Sequence, residues 1–243
     1  MIQISNLKKQ FGATIACDIP SLTINDGEII GLVGNNGAGK TTLFRMLLDL
    51  LQPDNGVVTI NGINPAESED WKPFTGAHID DGFLIDYLTP EEYFSFIGKI
   101  SDLTPEIVEQ RINDFSRFAG NEVLGQGKLI RNLSAGNKQK VGIMAALLRR
   151  PSLVILDEPF NFLDPSGQSI LKHLITDYNR QTGATIIISS HNLQHTIEIS
   201  TRVMLLEKGC IINDLTNENQ SAKEVLTAYF DVDNIPGSKD ERE

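Results

Sequence analysis

The sequence places three glycines, a lysine and two threonines in one run, Gly34-Asn35-Asn36-Gly37-Ala38-Gly39-Lys40-Thr41-Thr42. The run matches the phosphate-binding pattern Gly-x-x-x-x-Gly-Lys-Ser/Thr. Residues 28–33 before it are typical of a short buried strand, and residues 43–51 after it are typical of a helix. A strand, a glycine loop and a helix in that order direct backbone N–H groups and a helix N-terminus at one point. The run therefore predicts an anion site.

The residue types of this glycine loop (residues 34–42) suit a nucleoside triphosphate. Gly34, Gly37 and Gly39 can take backbone angles that are closed to other residues, and they let the chain approach phosphate oxygens. We expect Lys40 to bring a mobile positive charge to the β- and γ-phosphates and the Thr41 hydroxyl to bind Mg²⁺. The alternative is a chance glycine turn followed by Lys-Thr, and motifs further along the chain argue against it.

Composition and charge limit the class of protein. The chain has 243 residues, enough for one large domain or two small ones, and its 40% hydrophobic and 22% charged residues are typical of a soluble globular protein. The formal net charge is −11, so we expect no nucleic acid as the main partner, since phosphate contacts favour basic proteins.

The cysteines and the apolar runs indicate a compartment. Cys17 and Cys210 have no metal-ligand spacing and predict two reduced thiols in a cytosolic protein. Residues 1–9 lack the apolar run of a signal peptide, and no segment approaches about 18 uninterrupted apolar residues. We expect another chain to supply any membrane-spanning part.

Apolar runs and helix-start signals predict an α/β core that is interrupted by helices. Residues 152–158 and 184–190 are typical of central parallel strands. Thr89-Pro90-Glu91 and Thr104-Pro105-Glu106 each place a capping threonine before proline and glutamate, which starts a helix. The helix after the glycine loop is expected to end near Pro53. The predicted units are a core of about residues 1–83 and 151–215, a helical subdomain of about 84–150, together a domain over 1–230, and a disordered tail over 231–243.

Two carboxylates follow the first of these strand-like runs. Asp157 is expected at the carboxyl end of a strand, where it can hold Mg²⁺, and Glu158 can polarise the attacking water as a general base. A solvated turn is the ordinary explanation of adjacent Asp-Glu, but the buried run before it favours catalysis. His191 follows the second run and can donate a hydrogen bond to the γ-phosphate and orient the base.

A second helix start can also bind phosphate. Ser134 can cap the helix that follows it, and Gly136 lets a phosphate approach the backbone. Because one nucleotide does not need two such ends from one chain, the pattern suggests a dimer in which this end closes on the partner's ATP. An ordinary capped helix is the alternative. Phe11, upstream of the glycine loop, can stack on adenine or be a core aromatic.

Together these stretches resemble the nucleotide-binding subunit of ABC transporters over about residues 2–213, with the motifs in the family's order. The matching stretches are 34–41 for Walker A, 153–157 for Walker B with Glu158 as catalytic glutamate, 133–139 for the signature, 161–164 for the D-loop, His191 for the switch histidine, and Phe11 for the adenine-stacking aromatic. The family's fold is a P-loop NTPase with a RecA-like core, an antiparallel β edge and an inserted helical subdomain. Its activity implies two chains that sandwich two Mg·ATP and drive a membrane partner.

The resemblance also implies the residues of the site. Glu158, His191 and Lys40 are the expected catalytic residues, and Thr41, Asp157 and Asp80 are expected to serve Mg²⁺. The residues expected to contact ATP are Phe11, Gly34, Asn35, Asn36, Gly37, Ala38, Gly39, Lys40, Thr41, Thr42, Ser134, Gly136 and Asp164.

Two stretches depart from the family pattern. In the signature, Ala135 replaces a glycine and Asn137 replaces the glutamine, while Ser134 and Gly136 remain, so ATP sandwiching is expected to survive. The glutamine of the family's Q-loop falls on Asp80. An acidic residue at this position resembles the pattern of the subgroup that exports or protects against peptide antibiotics, where glutamate often takes this place.

Two functions compete on this evidence. The first is the ATPase subunit of an exporter, on the cytoplasmic face of the membrane, with a separate permease chain and a second nucleotide-binding subunit of the same or a different kind. The second is a soluble ABC-type ATPase in a translation, repair or cofactor-assembly complex. One nucleotide module, a short helical insert and an acidic charge favour the first. A non-hydrolysing scaffold is a third class, against which Lys40, Asp157, Glu158 and His191 argue.

Overall fold

The strands form two sheets in the computed structural model, which describes residues 1–79, 81–218 and 221–230. The strands are β1 (Ile2–Phe11), β2 (Thr14–Ile24), β3 (Ile29–Val33), β4 (Asn55–Ile60), β5 (Thr75–His78), β6 (Leu153–Leu156), β7 (Thr185–Ser190), β8 (Arg202–Glu207) and β9 (Cys210–Thr216).

The helices lie between the strands of the larger sheet along the chain, and the last one follows them. They are α1 (Lys40–Leu47), α2 (Pro90–Ile100), α3 (Pro105–Asp114), α4 (Ser116–Ala119), α5 (Ala135–Leu148), α6 (Pro165–Thr182), α7 (Leu193–Ile199) and α8 (Ala222–Phe230), with 3₁₀ turns at Lys72–Phe74, Asp81–Phe83 and Ile130–Asn132.

The larger sheet has the order β5-β6-β7-β3-β8-β9, and its strands are parallel except for β9, which pairs antiparallel with β8. Parallel strands end at the same edge of a sheet, so the carboxyl ends of β3, β6 and β7 are neighbours. The register pairs Val33 with Ser190 and Leu156 with Ile188. The segments that follow these three strands therefore meet at one edge.

Both faces of the larger sheet are covered. On one face, Phe44 of α1 shares a buried cluster with Ile4 of β1 and Ile155 of β6, because the antiparallel sheet β2-β1-β4 closes over α1. On the other face, Val154 of β6 packs in a second cluster with residues of α2, α3, α5 and α6, such as Phe94. This double burial explains why the central strands are continuous apolar runs rather than alternating ones.

The predicted fold class is confirmed. The sheet is mixed, its antiparallel edge is the β8–β9 hairpin, and α2 to α5 lie between β5 and β6 along the chain. The residue limits of the core and of the helical subdomain stay predictions. Asp80 and the predicted tail 231–243 lie outside the described residues.

The expected end of α1 near Pro53 is wrong. The helix ends at Leu47, and Asp49 adopts a left-handed conformation with φ 54°. The N–H of Leu50 then donates to Arg45 O at 2.8 Å and that of Asp49 to Met46 O at 3.3 Å, which closes the helix end. Because Leu48, Leu50 and Leu51 continue the apolar pattern beyond the helix, the sequence shows no clear sign of this end.

Helix α8 is an element that sequence reasoning missed. It packs with α7 in a small buried cluster that includes Leu226. Asn217 joins the two helices, because its side-chain amide donates to Ile197 O and Ser200 O, each at 2.8 Å, and its oxygen accepts from Ala222 N at 3.2 Å.

We expect Gly31→Ala to lower the free energy of unfolding by about 1–3 kcal/mol, because extra atoms in a packed interior are costly. A Cβ at Gly31 of β3 would overlap the Cγ2 of Thr196 of α7, which is fully buried. Urea unfolding measures the effect. Thr196→Ser removes the overlapping methyl group, so the double variant should regain part of the loss, and an unfolding curve of Gly31→Ala that matches the parent would contradict the packing.

Candidate functional site

The glycine loop follows β3 and is pressed against other backbone segments. A Cβ at Gly39, where φ is 109°, would overlap the carbonyl oxygen of Ala16, and a Cβ at Gly34 would overlap that of Leu206. Only glycine fits at these two positions without moving a neighbouring strand. The loop, together with Thr14, Ala16 and Glu158, lines a cavity of about 220 Å³.

Lys40 begins α1 and is buried, with 6% of its surface exposed. Its Nζ donates to Gly34 O at 2.7 Å and to Asn35 O at 3.3 Å, and it lies 3.2 Å from Glu158 Oε1. A buried ammonium needs such partners because its desolvation is costly. The ammonium therefore sits at the loop, where phosphate oxygens can replace its carbonyl partners.

Thr41 and Asp157 bring two oxygen ligands together. The Thr41 hydroxyl donates to Asp157 Oδ2 at 2.5 Å, and the Ser189 hydroxyl donates to Asp157 Oδ1. Burial raises the pKa of the Asp157 carboxyl, while the hydrogen bonds from Ser189 and Thr41 oppose that rise. A hydroxyl beside a carboxylate at a phosphate loop fits Mg²⁺, which prefers oxygen ligands and commonly keeps phosphate and water in its shell.

Glu158 divides its carboxylate between two cationic or polar partners. Its Oε1 faces Lys40, and its Oε2 lies 2.8 Å from His191 Nδ1 and accepts the His191 backbone N–H at 3.2 Å. Its own N–H donates to Ser189 Oγ at 2.7 Å, and its φ of 48° lies in the left-handed region. Glu158 thus contacts both of the other expected catalytic side chains. The contacts form because Glu158 follows β6, His191 follows the adjacent strand β7, and Lys40 follows the glycine loop after β3.

Ser134 and Gly136 lie at the N-terminus of α5. Ser134 caps this helix by accepting from Asn137 N at 3.3 Å, and a Cβ at Gly136 would lie 2.5 Å from the carbonyl oxygen of Phe162. Asp164 caps α6 by accepting from Gly167 N at 3.0 Å. These three expected ATP contacts are not among the described residues that line the cavity at the glycine loop.

Phe11 is half exposed, at 51%, at the end of β1, and Lys9 Nζ lies 5.6 Å from its ring centroid. It is therefore not a core aromatic, and its stacking on adenine stays a prediction. The other expected nucleotide and metal contacts also stay predictions as individual roles.

Two residues of the site were missed by sequence reasoning. Ser189 bridges the acidic pair, since it bonds both Asp157 and the Glu158 N–H. Gln139 of α5 is buried, donates to Glu158 O at 3.4 Å and lies 3.3 Å from His78 Nε2. A polar residue near the end of a buried strand, on the edge that carries Asp157, was the signal available for Ser189.

We expect Ser189→Ala to lower the turnover of ATP about tenfold with little change in KM. The variant leaves the Glu158 N–H and one Asp157 oxygen without their partner, and an unsatisfied buried group costs about 1–3 kcal/mol. Steady-state ATPase kinetics measure the change.

Ser200→Ala is the matched control for this prediction. Ser200 is also buried, and its hydroxyl makes no hydrogen bond within the described residues. The turnover of this variant should stay within about twofold of the parent. Equal losses in the two variants would contradict a bridging role of Ser189.

Three comparisons define the class of protein. A protein-family model described as ABC transporter matches residues 17–161. The Bacitracin transport ATP-binding protein BcrA of Enterococcus faecalis is 32% identical over 238 residues, which are 96% of this chain and 74% of that protein. The Methionine import ATP-binding protein MetN of Rhizobium etli is 33% identical over 219 residues, which are 88% of this chain and 60% of that protein.

A solved structure described as the dimeric post-hydrolysis state of the ATP-binding cassette MJ0796 bound to ADP and Pi shares the fold. Its TM-score is 0.80 at 22% identity, and the match covers 90% of this chain and 99% of that one.

The chain belongs to the ABC transporter family, as one of its ATP-binding proteins. It is an ATPase subunit that binds ATP together with Mg²⁺, and the predictions of family, fold, activity and cofactors are confirmed. Of the helices in the described ranges, none is both long and apolar enough to cross a membrane.

Proposed function

We propose that this chain hydrolyses ATP to drive a separate membrane-spanning chain, as the nucleotide-binding subunit of an exporter that closes as a dimer on ATP. The observation that carries the proposal is the carboxylate of Glu158, held between Lys40 Nζ at 3.2 Å and His191 Nδ1 at 2.8 Å. This contact joins the phosphate loop, the expected base and the expected switch residue in one network beside Thr41 and Asp157.

The residues divide the reaction between them. When bound, Mg·ATP would supply the phosphoryl group that is transferred to water and a metal ion that neutralises part of the negative charge on the phosphate oxygens. Lys40 would exchange its carbonyl partners for phosphate oxygens, and Thr41 and Asp157 would hold the metal ion. Glu158, released from Lys40, accepts a proton from the attacking water, while His191 keeps its carboxylate oriented.

The site needs a second subunit to be complete. Ser134 is exposed at the N-terminus of α5, which directs backbone N–H groups outward, and Gly136 follows it in the first turn. We infer that these residues, with Asp164, approach the nucleotide of a partner subunit, which is a second copy or a related chain. The dimeric state of the similar cassette MJ0796 supports this arrangement.

We expect Glu158→Gln to trap a dimer in the presence of ATP, because it keeps the shape of the side chain but removes the base. Size-exclusion chromatography at increasing ATP concentrations measures the dimer. Adding Lys40→Ala to this variant removes the ammonium group that is expected to bind the phosphates of ATP, so the double variant should remain a monomer. A Glu158→Gln chain that stays monomeric at every ATP concentration would overturn the sandwich.

A groove beside the end of β5 has the apolar lining expected of a docking site for a helix of the membrane partner. It has a volume of about 310 Å³ and is lined by Leu50, Trp71, Ile79 and Phe83 among others. Leu50 is 50% and Phe83 54% exposed, and clustered exposed apolar side chains usually mark an interaction site. We infer that a cytoplasmic helix of the permease docks here, which places this chain on the cytoplasmic face of the membrane.

We expect Phe83→Asp to reduce recovery of this chain with membranes about tenfold, because a charge in an apolar docking site is costly. The ATPase activity of the free chain should remain near that of the parent. Phe96→Asp is the matched control, since Phe96 of α2 is 42% exposed and does not line the groove. Equal membrane recovery of the two variants would contradict docking at this groove.

Export rather than import rests on Asp80, whose acidic side chain resembles that of peptide-antibiotic exporters. The relatives themselves are named for bacitracin transport and for methionine import. The competing function, a soluble ABC-type ATPase in a non-transport complex, is distinguished by co-purification. Recovery with a membrane-spanning chain supports transport, whereas recovery with ribosomes or DNA supports the alternative.

A further inference from the structure

A second cavity lies at the edge of the larger sheet opposite to the glycine loop. It has a volume of about 460 Å³ and separates α3 of the inserted helices from α6. Arg150, three residues before β6 begins, and Thr182, three residues before β7 begins, are among its lining residues. The cavity thus shares no lining residue with the one at the glycine loop.

The carboxylates of this cavity already have cationic partners. Asp114 of α3 pairs with Arg150 at 3.1 Å. Asp177 of α6 pairs with Arg180, one turn along the same helix, at 2.7 Å. Neither carboxylate therefore needs a further cation from the cavity.

Arg111 of α3 is the lining arginine for which the described residues provide no ion pair. Its Nη1 donates to Leu148 O, at the end of α5, at 2.7 Å, and within the described residues no carboxylate lies within ion-pair distance of it. Four of the five N–H groups of an arginine remain after one such bond. Burial lowers the pKa of the Arg111 guanidinium and the charge of Arg150 lowers it further, whereas Tyr178 and Asp114 act to raise it.

Arg111 and Arg150 both line the cavity, and their charges influence one another. The Tyr178 hydroxyl donates to Pro151 O at 2.8 Å. Burial raises the pKa of this hydroxyl, and the positive charges of Arg150 and Arg111 partly oppose the rise. Guanidinium groups that line one cavity, one of them without a carboxylate at ion-pair distance, suit the oxygen atoms of carboxylates and phosphates.

We propose that this cavity binds a small free oxyanion, a carboxylate- or phosphate-bearing molecule, through the guanidinium of Arg111 with Arg150 as the second cation. The anion supplies the charged partner that Arg111 lacks, while Arg150 keeps its ion pair with Asp114. The side-chain amide of Gln181 lines the cavity and makes no hydrogen bond within the described part of the chain, so it is available to the ligand. A bound anion ties α3 to α6, which links the inserted helices to the core.

Isothermal titration calorimetry with succinate and with inorganic phosphate tests the site. The full chain is first saturated with Mg²⁺ and a non-hydrolysable ATP analogue, so that every phosphate position at the glycine loop is filled. We expect the parent to bind at least one of the two probes, and Arg111→Gln to bind it about tenfold or more weakly, as for a lost charge-assisted bond.

Arg117→Gln is the matched control, because it removes the same unit of charge from an exposed arginine of α4 that does not line the cavity. The affinity of this variant should stay within about twofold of the parent, since an exposed charge outside the cavity is screened by water. Absence of binding to the parent by both probes, or equal binding by Arg111→Gln and the parent, would overturn the proposal.

Arg111→Lys keeps the test decisive if the glutamine variant does not fold after losing its bond to Leu148 O. Lysine retains the charge and one donor but not the planar fork, so we expect about fivefold weaker binding. Parent-like affinity of Arg111→Lys would likewise overturn recognition by the guanidinium.

Discussion

A buried ammonium group sets the geometry of the nucleotide site. Lys40 is 6% exposed, and an unpaired charge at such a depth costs several kcal/mol. Its partners come from two places in the chain: the carbonyl oxygens of Gly34 and Asn35, and the carboxylate of Glu158. The pairing of this charge therefore connects the glycine loop to the segment that follows β6.

The same network gives two neighbouring carboxylates different chemistry. Asp157 is buried and receives hydroxyl donors from Thr41 and Ser189, an environment that suits a metal ligand. Glu158 is turned towards Lys40 and His191 instead. Adjacent acids whose environments differ in this way can serve separate roles, one with the metal and one with the proton.

The parts of the site that follow parallel strands were predictable from the sequence, and parts that depend on packing were not. The glycine loop, Asp157 and His191 each follow an apolar run, and parallel strands bring such positions to one edge. Ser189 escaped prediction because its partner atoms come from a different strand. The early end of α1 depends on a left-handed Asp49, and an aspartate in αL leaves little trace in composition. Helix α8 owes its position to its contact with α7, which local patterns do not encode.

The close approach of β3 and α7 restricts how the site can move. At Gly31 there is no room for one methyl group beside Thr196, so strand and helix cannot slide past one another. The strand that leads into Lys40 and the helix that follows His191 behave mechanically as one block. Any displacement of His191 relative to the glycine loop then requires torsion in the two residues between β7 and α7, His191 and Asn192.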